Sequence, residues 1–398
     1  MHNSPSAEQF EAHGCSVTLR RLEGPKALEL FLSCQPPADV MDAGEQAEAI
    51  YHAIDTVLQE EGGSSASVVS EMVFLRDPGS NVALVREARD RVLASTTAAS
   101  GAALIEIEQP PLNEHNCLEV SVQAVLPIES MQRQPIEVEP TCSCAECLSA
   151  HGLRIQLGEE ARFYASGLCG AGDNAYEQTT NMFTLAEELL QKAGMEFSDV
   201  VRAWIHLGEM ERDYPELNKS RREFFKARGI DPVPASTGIG GNPISGSHNL
   251  CLGVYAVKAG EPPVRTVMTS PTLNEAGEYG ADFVRGMKMA ESNKIALHVS
   301  GTASIDEEGR TAHVGDFEAQ VDRMLVNVSA LLERQGASIG DIVSAITYLK
   351  HPSDADRFRE KLHEAGFGGF PNVMVVAEVC RPELLCETEV LAVLPVTS

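Results

Sequence analysis

Basic residues are scarce in this chain, and aromatic ones make up only 5% of it. Against 58 Asp and Glu stand 31 Lys and Arg, a formal net charge of −27. A surface of that sign repels polyanions over a Debye length, and phosphate binding runs on clustered Lys and Arg. No nucleic acid is therefore expected as a partner, and ribonuclease activity ranks last among the readings. No run reaches the roughly eighteen apolar residues of a membrane span, and the opening stretch MHNSPSAEQFEAHG lacks a basic region followed by an apolar one. The expectation is a cytoplasmic protein with no membrane partner. Ten cysteines in 398 residues, with no such leader, do not make a disulfide framework. Cys34, Cys117, Cys169 and Cys251 lie inside apolar runs and read as buried thiols. A composition of 43% hydrophobic and 22% charged residues is that of a folded chain, long enough for two or three domains.

What the chain does have is a repeat. LEVSVQAVLP, LCLGVYAVKAG and CETEVLAVLP end alike, and aligning Ala124, Ala256 and Ala392 gives offsets of 132 and 136 residues. Upstream, LFLSCQPP at Ser33, FYASGLCG at Ser166 and LHVSGTAS at Ser300 recur at offsets of 133 and 134. An amphipathic helix follows each: EQAEAIYHAIDTVLQEEGG, YEQTTNMFTLAEELLQKAG and FEAQVDRMLVNVSALLERQG, with a Gly to stop it and Asp316 placed to cap the third. A strand and a second helix then recur before the closing strand. The pattern predicts an α+β fold of three tandem units, at 1–135, 159–262 and 295–398, with a Cys-rich linker at 136–158 and another linker at 263–294. Sheets bury their free faces against one another and helices lie outside, which leaves clefts between neighbouring units.

The run EVCRPELLCETEVLAVLP, 378–395, puts a thiol, a guanidinium and a carboxylate at Cys380, Arg381 and Glu387, on what reads as a hairpin broken at Pro382-Glu383. The plain alternative is an Arg381–Glu387 ion pair on a solvated strand face, with Cys380 a small core residue. Glu119 and Cys251 stand at the matching strand positions of the other two units, and neither has a Cys-Arg pair ahead of it. The Gly- and Ser-rich stretch PASTGIGGNPISGSH, 234–248, offers Ser236, Thr237, Gly238 and Gly240 as a backbone that a ligand can approach closely, or else an ordinary loop. An acidic protein that takes an anionic substrate needs local cations. Tyr279 and Arg285 in EYGADFVRG suit a carboxylate clamp, or a docked linker. Cys142, Cys144, Cys147 and His151 have the ligand types of a tetrahedral zinc site that would pin the linker, with free or redox-active thiols as the alternative.

The unit order, the closing E-x-E-V-L-A-V run and the SG after the first strands resemble the Rid family, YjgF/RidA or endoribonuclease L-PSP-like, over about 350 residues in three copies. That resemblance implies a chorismate-mutase-like fold that assembles as trimers and binds small molecules between subunits, here within one pseudo-trimeric chain or a higher assembly of such chains. SGTASIDEEGRTAHVGDFEAQ at 300–320, CRPELLCETE at 380–389 and PASTGIGG at 234–241 resemble the chorismatase branch, whose members cleave the enolpyruvyl ether of chorismate. Carried over, Glu387 is the general acid, and Cys380 matches the thiol of those members that yield 3-hydroxybenzoate. The substrate is then a small carboxylate, and no cofactor is required for catalysis. Deaminating Rid proteins carry a carboxylate-binding Arg after a Pro-Ala pair, where this chain has Ser236 and, by sequence alignment, Met374. That departure disfavours the alternative activity, imine or enamine deamination. A non-catalytic small-ligand-binding protein is the third reading.

Overall fold

The first helix of each unit begins on a polar cap and buries one stripe. The computed structural model describes residues 7–93, 101–139, 150–244, 247–259, 265–275, 277 and 282–396. The first unit runs β1 (Ala7–Ala12), β2 (Cys15–Glu23), β3 (Ala27–Gln35), α1 (Ala43–Glu60), β4 (Val68–Leu75), α2 (Pro78–Leu93), β5 (Ala103–Glu108) and β6 (Leu118–Pro127). The second runs β7 (Gln132–Val138), β8 (Ala150–Leu157), β9 (Glu160–Leu168), α3 (Ala175–Lys192), β10 (Val200–Leu207), α4 (Met210–Arg228), β11 (Ala235–Gly240), the short β12 (Asn242–Pro243) and β13 (Leu250–Lys258). The third runs β14 (Arg265–Met268), β15 (Gly286–Ala290), β16 (Ile295–Ala303), α5 (Phe317–Glu333), β17 (Ile342–Leu349), α6 (Ala355–Glu364), β18 (Asn372–Val376) and β19 (Cys386–Leu394). Asp42, Asn174 and Asp316 cap α1, α3 and α5 by accepting from backbone N–H groups of the first turn. The stripe Ile50, Tyr51, Ile54, Val57 and Leu58 is the buried side of α1, and Gly229, at φ 63°, ends α4.

The three sheets share one plan. Their orders are β1-β2-β3-β6-β4-β5-β12, β11-β10-β13-β9-β8-β7 and β14-β15-β16-β19-β17-β18. In each, the closing strand sits in the middle, and the parallel strand pairs among the described residues, β4–β5, β10–β11 and β17–β18, are joined through a helix. Apolar clusters lie between each sheet and its helices, and that of the third unit extends to Phe74 and Ile107 of the first and Ile239 of the second. A further cluster, with Ala27 and Val125 from the first unit, Leu153, Ile155 and Tyr255 from the second and Met287 and Met289 from the third, fills the centre where the sheets meet. The three-unit α+β architecture with sheets inward is thus the one the repeat predicts.

The stretches read as linkers are partly sheet. β7 and β8 pair over Gln132–Val138 and Ala150–Leu157, and β14 pairs with β15 at the edge of the third sheet. The alternation of Leu153, Ile155 and Leu157 is a half-buried strand signal that the neighbouring cysteines obscured. Residues 378–385, expected as the first arm of a hairpin, form a loop that turns at Leu384 N to Arg381 O, 3.1 Å, because the Glu378 carbonyl accepts from Gly240 N of the second unit at 2.8 Å.

A buried ionic network ties the units together near the tips of their hairpins. Glu29 accepts from Lys294 Nζ at 2.6 and 2.8 Å, from Arg162 Nη1 at 2.8 Å and from Asn293 Nδ2 at 2.9 Å. Arg162 also reaches Glu160 at 2.7 Å and Glu291 at 3.0 Å. Burial pushes the Glu29 carboxyl up, but the Arg162 and Lys294 charges outweigh it and hold the group well below the usual range.

Candidate active site

Where β11 of the second unit lies against β16 and β19 of the third, a cavity of about 250 Å3 opens, and its lining includes Ser236, Thr237, Gly238, Arg285, Cys380, Arg381 and Glu387. Seven residues singled out from sequence therefore meet in one place. Gly240 does not: it lines a wider depression of about 660 Å3 and holds Glu378 through its N–H. Tyr279, Cys142, Cys144 and Cys147 lie outside the described residues. His151 sits on β8 opposite Glu137. Among the described residues no three His, Cys, Asp or Glu side chains gather as metal ligands.

The wall is built by hydrogen bonds from unit to unit. Ser300 Oγ accepts from Ser236 N at 2.9 Å and donates to Val284 O at 2.6 Å. Thr237 Oγ1 accepts from Gly301 N at 2.9 Å. Gly301 is required here, since a Cβ on it would stand 2.0 Å from Glu387 Oε1. Glu387 is only 4% exposed, and among the described residues no ion pair links it to Arg381 and no hydrogen bond reaches its carboxyl. Arg381 Nη1 instead donates to Gly309 O at 2.8 Å. The solvated ion pair is thereby replaced by a buried carboxyl facing a cavity.

Burial raises the Glu387 carboxyl, and the nearby Glu389 charge raises it further, against the pull of Arg202 and Arg285, to about 8. It is therefore a protonated acid at neutral pH. Burial and the Glu387 charge push the half-buried Cys380 thiol up to about 12, with Arg381 and Arg285 opposing. A thiol in that state is a neutral S–H and not a nucleophilic thiolate. Arg285 is fixed by donating to Asn274 O at 2.9 Å and Asn274 Oδ1 at 3.1 Å. The pocket so assembled can bind an anion and deliver one proton to it.

Helix α4 contributes Tyr214, Asn218 and Arg221 to the lining, which the sequence reading missed. Arg221 is 2% exposed, donates to Asn218 Oδ1 at 2.6 Å and lies 5.7 Å from the Phe283 ring. Spacings of four and three on one helical face were the available signal.

The ladders fix which positions correspond. Phe74 pairs with Glu119, His206 with Cys251 and Tyr348 with Glu387. These three positions are equivalent, as the sequence alignment has them. Met374 is not the counterpart of Ser236. Ala203 pairs with Ser236 and Ala345 with Asn372, so Asn372 holds that place, and neither residue is the carboxylate-binding Arg. Cys251 Sγ lies 4.0 Å from His206 Nδ1 in a buried contact.

Comparison with known proteins extends these observations. The family model Endoribonuclease L-PSP matches residues 158–245 and 280–394. A 3-hydroxybenzoate synthase of Streptomyces hygroscopicus is 29% identical over 253 residues, 57% of this chain and 72% of that protein. A RutC family protein of Pyrococcus abyssi is 35% identical over 98 residues, 24% of this chain and 76% of that one. The crystal structure of a chorismatase aligns over 82% of this chain and 93% of its own with a TM-score of 0.60 at 17% identity, a likeness of fold. Among the described residues no helix is long and apolar enough to cross a membrane.

Proposed function

The chain belongs to the endoribonuclease L-PSP family, and from that membership together with its similarity to a 3-hydroxybenzoate synthase we propose that its second and third units form a chorismatase-like active site. The substrate is chorismate or a related cyclohexadienyl carboxylate carrying an enolpyruvyl ether. The observation that carries this reading is Glu387: a carboxylic acid kept protonated to about 8 in a cavity rimmed by Arg221, Arg285 and Arg381.

The chemistry follows from that pairing. The guanidiniums receive the carboxylates of the substrate through charge-assisted hydrogen bonds. Glu387 gives its proton to the methylene carbon of the enol ether, and the carbon bearing the ether oxygen becomes an oxocarbenium ion. An oxygen nucleophile, water or a hydroxyl of the substrate ring, adds to that carbon. In either case the proton of the nucleophile restores Glu387. After addition of water, the bond from that carbon to the ether oxygen breaks and gives pyruvate and a ring diol; after addition of the ring hydroxyl, the cyclic ketal loses both that bond and the bond from the attacking oxygen to its ring carbon, a ring C–H proton passes to the freed phenol oxygen, and pyruvate leaves with the attacking oxygen. With the ring hydroxyl as nucleophile, loss of pyruvate and aromatisation to a hydroxybenzoate balance without net water. The Cys380 thiol, by its likeness to the 3-hydroxybenzoate-forming branch, directs the reaction to that product. These steps draw on the protein's own side chains and call for no cofactor.

Incubation with chorismate and assay of pyruvate tests the proposal directly. Pyruvate released in step with a hydroxybenzoate is the expected result; an enzyme that binds chorismate and leaves it intact is a ligand-binding protein instead.

A further inference from the structure

Two residues beyond Glu387 on the same strand, Glu389 is buried and held by three donors. Trp204 Nε1 lies at 2.6 Å, Arg202 Nη2 at 2.8 Å and the Tyr348 hydroxyl at 3.3 Å. Glu389 faces a second cavity, of about 110 Å3, at the centre of the molecule and lined by all three sheets. Glu387 faces the first. Arg202, on β10, spans the wall between them, for its Nη2 also donates to Thr237 Oγ1, which in turn accepts from Gly301 N beside Glu387. The reaction described above makes no use of Arg202 or Glu389. Stability alone is a poor reason for the pair, because a buried ion pair is often matched by apolar side chains of the same volume.

We propose that Arg202 and Glu389 are positioning residues for the site: Glu389 sets the charge that keeps Glu387 in its proton-carrying form, while Arg202 anchors Thr237 and, through it, the Gly301 backbone against Glu387. The inference rests on the acid role given to Glu387. Its geometry is simple. Alternate strand residues point to one side, about 7 Å apart, so the Glu389 carboxylate, bonded to its three donors, places a negative charge on the face that Glu387 occupies. The other groups facing Glu387 do not share that sign. Arg202, Arg221, Arg285 and Arg381 are cations, and Cys380, Cys386 and Tyr348 are neutral, their protons held by burial. Glu389 is the one neighbour in this set whose charge favours protonated Glu387, adding to the effect of burial.

The test is a pair of variants whose effects have opposite sign. Glu389→Gln removes the like charge and leaves Arg202 uncompensated, so the Glu387 pKa should fall by about one unit or more, within the one to three units that a charge at close range supplies. Arg202→Gln should raise it. The double variant, with no charge left at either position, should return it toward the wild-type value, and Glu389→Asp, which keeps the charge, should hold it there. Carboxyl 13C NMR reads this without substrate, with the Glu387 signal identified by its loss in Glu387→Gln. Trp204, the single tryptophan of the chain, gives a parallel fluorescence reading from the indole that bonds Glu389. The alkaline limb of turnover should move in the same order. A Glu387 pKa that stays in place, or moves the same way in both single variants, overturns the proposal; if a single variant does not fold, Glu389→Asp and the double variant decide it, since values far from wild type contradict it. The ordering seen in NMR with no pyruvate formed from chorismate leaves this coupling standing and removes the proposed substrate.

Discussion

Glu387 and Glu119 occupy one strand position in two units of a single chain, yet their surroundings make only one of them a plausible acid for a bound anion. Three residues ahead, the first unit has Asn116, whose Nδ2 donates to Glu119 Oε1 at 3.0 Å, and the third has Leu384. Six residues ahead stand Asn113 and Arg381; seven ahead, Leu112 and Cys380. The loop at Glu119 lies along β18, with Val376 N donating to Pro110 O and Leu112 N to Met374 O. Burial raises both carboxyls, Glu119 to about 7 against the hydrogen bond from Asn116, and Glu387 to about 8. A perturbed acid alone therefore does not mark the site. What marks Glu387 is that it lines a cavity together with Arg221, Arg285 and Arg381.

The largest effect expected from this contrast is on turnover. Glu387→Gln keeps the shape of the side chain and removes the transferable proton, so kcat for pyruvate release should fall by about a hundredfold to ten-thousandfold. Glu119→Gln should leave kcat where it was; equal losses in two well-folded variants would break the comparison. Next in size is Arg381→Ala, which removes a guanidinium whose place in the first unit is taken by Asn113. The loss of one charge-assisted hydrogen bond, about 1.5–3 kcal/mol, should appear mainly in KM, measured by initial rates, and a fall in kcat alone would argue against a binding role.

A smaller effect tests the hydrogen bond itself. Leu384→Asn copies the first unit's arrangement, and a bond to the ionised carboxyl should lower the Glu387 pKa by about one unit. Wild-type activity should fall as pH rises through about 8, where Glu387 loses its proton; in the variant that fall should begin at lower pH, so turnover at pH 7 drops while turnover in mild acid is kept. A pH–rate profile that does not move means that another group sets the limb. The reciprocal Asn116→Leu should raise the Glu119 pKa, visible by 13C NMR, with the least effect on turnover of all.

How much of this could be read in the sequence depends on how local the cause is. The α1, α3 and α5 helices follow from apolar spacing and caps, and the equivalence of Glu119, Cys251 and Glu387 follows from the repeat, because these are patterns within one unit. The Cys380, Arg381 and Glu387 grouping was legible for the same reason. Gly301 was not seen as a contact of Glu387, because that requires knowing how β16 lies beside β19. The Arg202–Glu389 pair joins residues 187 apart in sequence, and Arg221 reaches the cavity only because β11, which follows α4, docks against the third unit. The strands β7 and β14 carry little pattern, the first interrupted by Pro135 and the second only four residues long. The missed features are thus those fixed by contacts between residues far apart in the chain, together with strands too short or too interrupted to show a period.

Joining three copies in one chain has a consequence for counting. Among identical chains, a substitution that suits one cleft is imposed on all of them, so a leucine gained beside one acid is gained beside each. Here each cleft has its own codons. Leu384, Asn116 and His248 stand at one structural position and can differ, and a glutamate can give way to Cys251 without touching Glu387. Such a molecule should bind one equivalent of a tight substrate analogue per chain, not three, and its saturation curve should be that of a single independent site.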